Sequence, residues 1–237
     1  MVNYEKSMFM VSRNTSRCVA ANIESELHVT RTNCMGQYLG LPSQTSRNKC
    51  QVFNNILNRV WQFLQGWKEK LFSSGGKEVL IKAVAQAIPN YSMSCFRFPM
   101  NLCKEINSLY ARFWWGSNDR EKKIHWPSWK RLCVSKEQGG LGFKDLCIFN
   151  QAMLAKQSWQ IIKNPNSLLV RVLRGKYFKH GNFMTAELGS NPSFVWRSIL
   201  WGKELFVKGI RWRIGNGFSV IIGSDPWILR EGSSLPF

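Results

Sequence analysis

The sequence predicts a mainly α fold with a minor β component: a helical bundle, short strands near the N-terminus and a β-hairpin near the C-terminus. Apolar residues recur at three- and four-residue steps through residues 53–71, proline and glycine punctuate the chain at helix-length intervals, and short β-prone runs sit towards both ends.

Residues 1–44 hold the β-prone runs Ser7-Met8-Phe9-Met10-Val11 and Gln37-Tyr38-Leu39-Gly40-Leu41, separated by polar and turn-forming residues, and strands are expected there. From Thr45 the period changes. Phe53, Leu57, Val60, Leu64, Trp67 and Leu71 form one apolar stripe, with Arg47, Lys49, Arg59, Lys68 and Lys70 largely off it. Gly75-Gly76 is expected to end that helix. A second helix should follow, carrying Leu80, Ile81, Val84 and Ile88 as far as Pro89. A third should start after Pro99, bury Leu102, Ile106, Leu109 and Phe113, and close at Gly116.

Residues 117–144 read as loop-rich, and a domain boundary fits there. Asp145 is placed to N-cap a helix running to about residue 163, with Phe149, Met153, Trp159 and Ile162 for packing, before Asn164-Pro165-Asn166 breaks it. Two further helices are expected over 167–178 and 192–206. Arg211-Trp212-Arg213-Ile214, Gly215-Asn216-Gly217 and Phe218-Ser219-Val220-Ile221-Ile222 then read as strand, turn and strand. The domains implied are 1–44, 45–116 and 117–237.

The charge balance narrows the function. The 237 residues include 33 Lys and Arg against 14 Asp and Glu, a formal charge of +19, so the surface repels cations and gathers polyanions. The excess begins after Pro42. Only three acids are aspartates, Asp119, Asp145 and Asp225, too dispersed in sequence to suggest a self-contained two-metal phosphoryl-transfer site. No catalytic residue, metal site or cofactor is assigned. The seven cysteines never approach within a C-x-x-C spacing, which argues against structural zinc. Their odd number and the absence of an apolar leader suggest reduced thiols in an intracellular, nuclear or cytoplasmic protein rather than a secreted one. No apolar run is long enough for a membrane span, which leaves a peripheral membrane role only as an alternative; the expected partner is RNA or DNA, with no membrane and no small-molecule substrate.

Gly75-Gly76-Lys77 resembles part of a phosphate loop. It lacks the earlier glycine, the following Ser or Thr and a preceding strand, so a glycine break between helices is the favoured reading. Gly139-Gly140-Leu141-Gly142-Phe143 is read as a tight turn requiring positive φ. His28, His125 and His180 are isolated in sequence and support no catalytic triad. The feature above background is the mixing of cations and rings in Arg112-Phe113-Trp114-Trp115, Lys122-Lys123-Ile124-His125-Trp126, Trp129-Lys130-Arg131 and Arg211-Trp212-Arg213. Cations neutralise phosphates and rings stack on bases, so Arg112, Lys122, Lys123, Lys130 and Arg131 are the leading nucleic-acid contacts, with Lys68, Lys70 and Lys77 next. The tryptophans are assigned mainly to the core.

Several runs carry a family resemblance. They are Val2-Asn3-Tyr4-Glu5-Lys6-Ser7, Tyr38-Leu39-Gly40-Leu41-Pro42, Leu64-Gln65-Gly66-Trp67-Lys68-Glu69-Lys70-Leu71 and Gly76-Lys77-Glu78-Val79-Leu80-Ile81-Lys82-Ala83-Val84. Ala111-Arg112-Phe113-Trp114-Trp115-Gly116, Gly139-Gly140-Leu141-Gly142-Phe143 and the ending from Arg211 to Asp225-Pro226-Trp227 join them. In this order they resemble plant LINE-type, non-LTR retrotransposon reverse transcriptases. The family shows a tryptophan before the Asp-Pro-Trp ending, where this chain has Gly223-Ser224.

The resemblance implies that 1–44 is the end of the polymerase palm, 45–116 a helical thumb and 117–237 a connection region. The polymerase aspartates would lie upstream and a zinc-binding segment and ribonuclease H domain downstream, so Mg²⁺ is expected only with those catalytic parts. Lys6 matches the lysine that reverse transcriptases set beside the incoming nucleotide's phosphates. Met1 falls where the family continues upstream, as an internal methionine of a decayed element would. Strands in 1–44 cut from their sheet would favour self-association. The expectation is a non-catalytic reverse-transcriptase fragment that binds RNA or DNA with little sequence preference. The alternatives are retained polymerase or ribonuclease H activity, an interaction module, or a pseudogene product without a selected role.

Overall fold

The computed structural model describes residues 4, 7–12, 14–32, 37–38, 41–42, 53–68, 72–116, 123–211 and 218; at 37–38, 41–42 and 68 the description is of backbone alone. The chain forms two compact units, residues 1–55 and 56–237, and among the described residues it is mainly helical.

In the first unit β1 (Met8–Phe9) pairs in parallel with β2 (Thr30–Arg31), Met8 opposite Thr30 and Phe9 opposite Arg31. Parallel strands need a crossover, and here it is α1 (Arg17–Leu27). The helix was not among the expected elements: it lies between two β-prone runs in a stretch read as polar and turn-rich, although Val19, Ile23 and Leu27 recur at four-residue steps, and it buries Ala20 alone. Local chemistry holds its two ends. Ser16 caps it by accepting from the Val19 amide at 3.4 Å, and the Arg31 amide donates to Glu24 Oε1 at 3.0 Å. Strands β3 (Gln37–Tyr38) and β4 (Leu41–Pro42) pair antiparallel, in the second expected strand region.

The predicted stripe helix is α2 (Asn54–Lys68), with Ile56, Val60 and Leu64 buried. The glycine pair does not separate it from the next helix. Gly75 and Gly76 lie inside the first turn of α3 (Ser74–Ala83), where Ser73 Oγ accepts from the Gly76 amide at 3.2 Å. First-turn amides have no partner four residues back, so a capping serine outweighs the glycines' low propensity. Nor does α3 run on to Pro89. It ends at Val84, a 3-10 turn covers Ala85–Ala87, and Pro89 instead opens the short α4 (Asn90–Cys95), which was not expected. Proline tolerates a helix start because the amide it lacks would be unpaired there.

The third predicted helix is α5 (Met100–Trp115), closed by Gly116 at φ 66°. Among its described residues the loop-rich stretch contains a short helix, α6 (Trp129–Leu132), and a 3-10 turn at Lys136–Gln138. The glycine turn follows, with Gly139 and Gly142 at φ 78° and 68° as expected. Asp145 caps α7 (Leu146–Lys163) by accepting from the Cys147 amide at 2.9 Å. Helices α8 (Leu168–Tyr177) and α9 (Phe194–Gly209) follow, and the expected C-terminal hairpin lies outside the described residues.

The second unit is organised on α7, which packs against α4, α5 and α9. Its buried face is Leu146, Asn150, Leu154, Ser158 and Ile161; Trp159 and Ile162, expected to pack, are exposed. The two polar members face backbone. Asn150 Nδ2 donates to the Met93 and Phe96 carbonyls at 2.8 and 2.9 Å, while its Oδ1 accepts from the Phe98 amide at 2.8 Å. Ser198 on α9 accepts from the Arg97 amide at 2.8 Å, so both helices tie down the same connection. A second core centre forms around Trp196, stacked on Tyr177 at 4.6 Å and packed with Ile161, Val170, Leu173, Phe178 and Phe183. The assignment of the tryptophans mainly to the core does not hold. Among the described ones Trp196 alone is buried, Trp126 is 81% exposed, Trp61 and Trp159 are about half exposed, and the others are half-buried, because their rings pack along helix seams and turns. No helix of the described residues is long and apolar enough to cross a membrane.

Candidate nucleic-acid interface

The C-terminal end of α5 gathers several of the predicted cations. Ile106, Tyr110 and Phe113 anchor the helix on its buried side, and Tyr110 Oη donates to the Ala85 carbonyl at 2.9 Å. Arg112, on the opposite side of the last turn, is exposed. The Gly116 amide closes the helix on the Arg112 and Phe113 carbonyls, and the aligned peptide dipoles make that end attractive to cations. Lys77, from the first turns of α3, donates to the Trp114 carbonyl at 3.4 Å. The ammonium groups of Lys77 and Lys123 both come within 3.6 Å of the point where a side chain on Gly116 would begin. Two lysines far apart in sequence thus converge on one helix end, with Arg112 one turn away. An ammonium has three donors, so the Lys77 bond to Trp114 leaves capacity for an anionic oxygen.

Lys130 and Arg131 are presented by α6, which Ser128 caps by accepting from the Arg131 amide at 3.4 Å. Aromatic packing fixes this short helix. Trp129 stacks on Phe143 with ring centres 4.9 Å apart and planes 7° from parallel, and it meets Tyr110 of α5 at 5.9 Å. Trp114 meets Phe143 edge-on at 5.5 Å, and Trp115 stacks on His125 at 5.9 Å. Trp114, Trp115 and Trp129 are engaged with these rings but half-buried rather than core, while Lys130 and Arg131 are exposed. Lys130 also borders an apolar recess of about 390 Å³ with Cys133, Lys144, Asp145 and Ile148. Of the remaining candidates, Lys6, Lys70 and Lys122 lie outside the described residues, and Lys68 is described only as the last backbone position of α2.

Sequence reasoning missed an ion triad beside this region. Glu78 Oε1 accepts from Lys82 Nζ and from Lys136 Nζ, each at 2.7 Å. The Lys136 hydrogen bond and then the Lys82 one hold the Glu78 carboxyl below its ordinary range. The Glu78–Lys82 half is legible as an i,i+4 pair; Lys136 arrives only through the fold. The thiols of Cys103 on α5 and Cys133 after α6 are poor nucleophiles, since burial raises the pKa of Cys103 and pushes Cys133 up to about 12. Among the described residues no group of three or more His, Cys, Asp or Glu is arranged to hold a metal ion, and Asp119 and Asp225 lie outside them.

No protein-family model matches the chain. Over 146 residues it is 49% identical to the "Uncharacterized mitochondrial protein AtMg00310" of Arabidopsis thaliana, an alignment covering 61% of this chain and 95% of that protein. The chain belongs to the same family as that protein. This family membership carries no activity with it, since the relative is itself named as uncharacterized. The chain is also 31% identical over 193 residues to the "Putative ribonuclease H protein At1g65750" of the same plant. That match covers 79% of this chain but spans only about a third, 31%, of the longer protein.

Proposed function

We propose that this member of the AtMg00310 family is a retrotransposon-derived polyprotein segment, equivalent to the thumb and connection of a LINE-type reverse transcriptase, that binds RNA or DNA duplex through phosphate contacts. In this reading residues 1–44 are the palm end, 45–116 the thumb and 117–237 the connection. The chain carries no polymerase or ribonuclease H chemistry of its own. The similarity to part of a longer protein with a ribonuclease H name supports a polyprotein origin. The mitochondrial name of the other relative adds that organelle's nucleic acids to those of nucleus and cytoplasm as candidate ligands.

One observation carries the binding reading: Lys77, Lys123 and Arg112 gather at the end of α5, and Lys130 and Arg131 follow on α6, in a chain of formal charge +19. Such a surface gains affinity mainly by releasing counterions from the phosphates. The expected result is that the logarithm of the duplex association constant falls with the logarithm of salt by about 0.9 per phosphate neutralised. Replacing Arg112, Lys123, Lys130 and Arg131 singly by Gln should lower that slope by about one each and weaken all sequences alike. Anisotropy titrations from low to moderate salt measure both. A response flat in salt, or one sensitive to duplex sequence and not to these residues, would remove the reading.

A further inference from the structure

A cleft of about 520 Å³ runs along the outer side of the seam between α2 and α5, lined by Leu57, Asn58 and Trp61 from one helix and Glu105, Ser108, Leu109 and Arg112 from the other. Helical spacing explains the lining: 57, 58 and 61 share one face of α2, and 105, 108, 109 and 112 one face of α5. Val60 and Leu64 of α2 and Ile106 of α5 are buried, and Trp67 meets Phe113 across the two helices at 6.1 Å. The cleft is therefore mostly apolar, with a large ring, one carboxylate and one guanidinium at its edge.

Resting on the nucleic-acid reading above, we infer that this cleft receives one unpaired guanine of a bound strand, stacked on Trp61, its edge read by Glu105 and a neighbouring phosphate held by Arg112. Trp61 is 49% exposed and sits in the cleft wall, so a purine can cover it and withdraw apolar area from water. The carboxylate decides which base. A phosphate would be repelled by Glu105, so the strand's backbone belongs at the Arg112 end. Two helical turns, roughly 10 Å of rise, separate the two residues, the scale of one nucleotide from base edge to phosphate. A carboxylate only accepts hydrogen bonds, and guanine alone presents two adjacent donors, N1–H and the 2-amino group. Adenine and cytosine place a ring-nitrogen acceptor beside their single amino group, which a carboxylate repels.

The test compares three labelled duplexes by anisotropy: blunt, with one overhanging guanosine, and with one overhanging adenosine. The guanosine overhang should bind about tenfold tighter than the other two. Glu105→Gln should bring guanosine down to the adenosine level. Trp61→Ala should remove the overhang advantage, and Trp61→Phe should keep part of it. Blunt-duplex affinity in each variant reports that the fold is intact. If all three duplexes bind the wild-type chain equally, the guanine cleft is wrong while the phosphate interface stands. If the blunt duplex does not bind at all, the interface reading has failed. Saturation-transfer NMR with GMP and AMP then decides the cleft alone, equal signals from the two overturning it.

Discussion

Asn150 is one buried side chain holding three backbone groups that no helix or sheet satisfies. The Phe98 amide and the Met93 and Phe96 carbonyls all lie where α4 gives way to the extended connection into α5, and each is out of reach of water. Asn150→Ala should cost about 3 kcal/mol in urea unfolding, because the three groups become orphans rather than being exchanged for solvent contacts. Asn150→Asp should be worse at neutral pH, since an anion would then face two carbonyl oxygens. An Ala variant as stable as the parent would show that water reaches this connection. Gly202 makes a steric demand of the same local kind: a Cβ there would sit 2.4 Å from the Leu154 carbonyl carbon, so α7 and α9 approach backbone to backbone. Gly202→Ala should lower stability by about 1–3 kcal/mol through forced separation of the two helices.

Among the described elements, α3 is tied to a distant turn by charge. Glu78 links its own Lys82 to Lys136 in the turn before the glycine segment. The folded carboxyl titrates below its unfolded value, chiefly through the Lys136 hydrogen bond. A lowered carboxyl pKa stabilises the fold above the unfolded pKa, and the contribution is lost as pH falls through the folded pKa. Glu78→Gln should therefore lower the melting temperature at pH 7 and converge with the parent once the pH drops below the ordinary carboxylate range. Parallel melting curves across that window check it. A difference that persists undiminished in acid would show that the glutamate acts through packing and not charge.

For the whole molecule, +19 over 237 residues means that folding concentrates like charge. Screening should relieve that repulsion, so the melting temperature is expected to rise from low to moderate salt, and to rise further with duplex present through preferential binding to the folded state. A fall with added salt would mean that attractive pairs such as the Glu78 triad dominate over net repulsion. The same field explains why salt is the decisive variable for the proposed interface.

The sequence by itself determined the helices whose apolar spacing or capping chemistry is local. Residues 54–68, 100–115 and 146–163 are legible from the 53–71 stripe, from Pro99 with Gly116, and from Asp145. It also set the surplus of positive charge on which the phosphate proposal rests, since net charge needs no fold. The buried face of α7 was not legible, because Asn150 and Ser158 interrupt the apolar pattern and are buried only where distant backbone needs them. Nor was the gathering of Lys77 with Lys123, or the pairing of Trp61 with Glu105 and Arg112 across one cleft. Those arrangements join residues separated by tens of positions, and no periodicity within one segment records which faces two helices will turn towards each other.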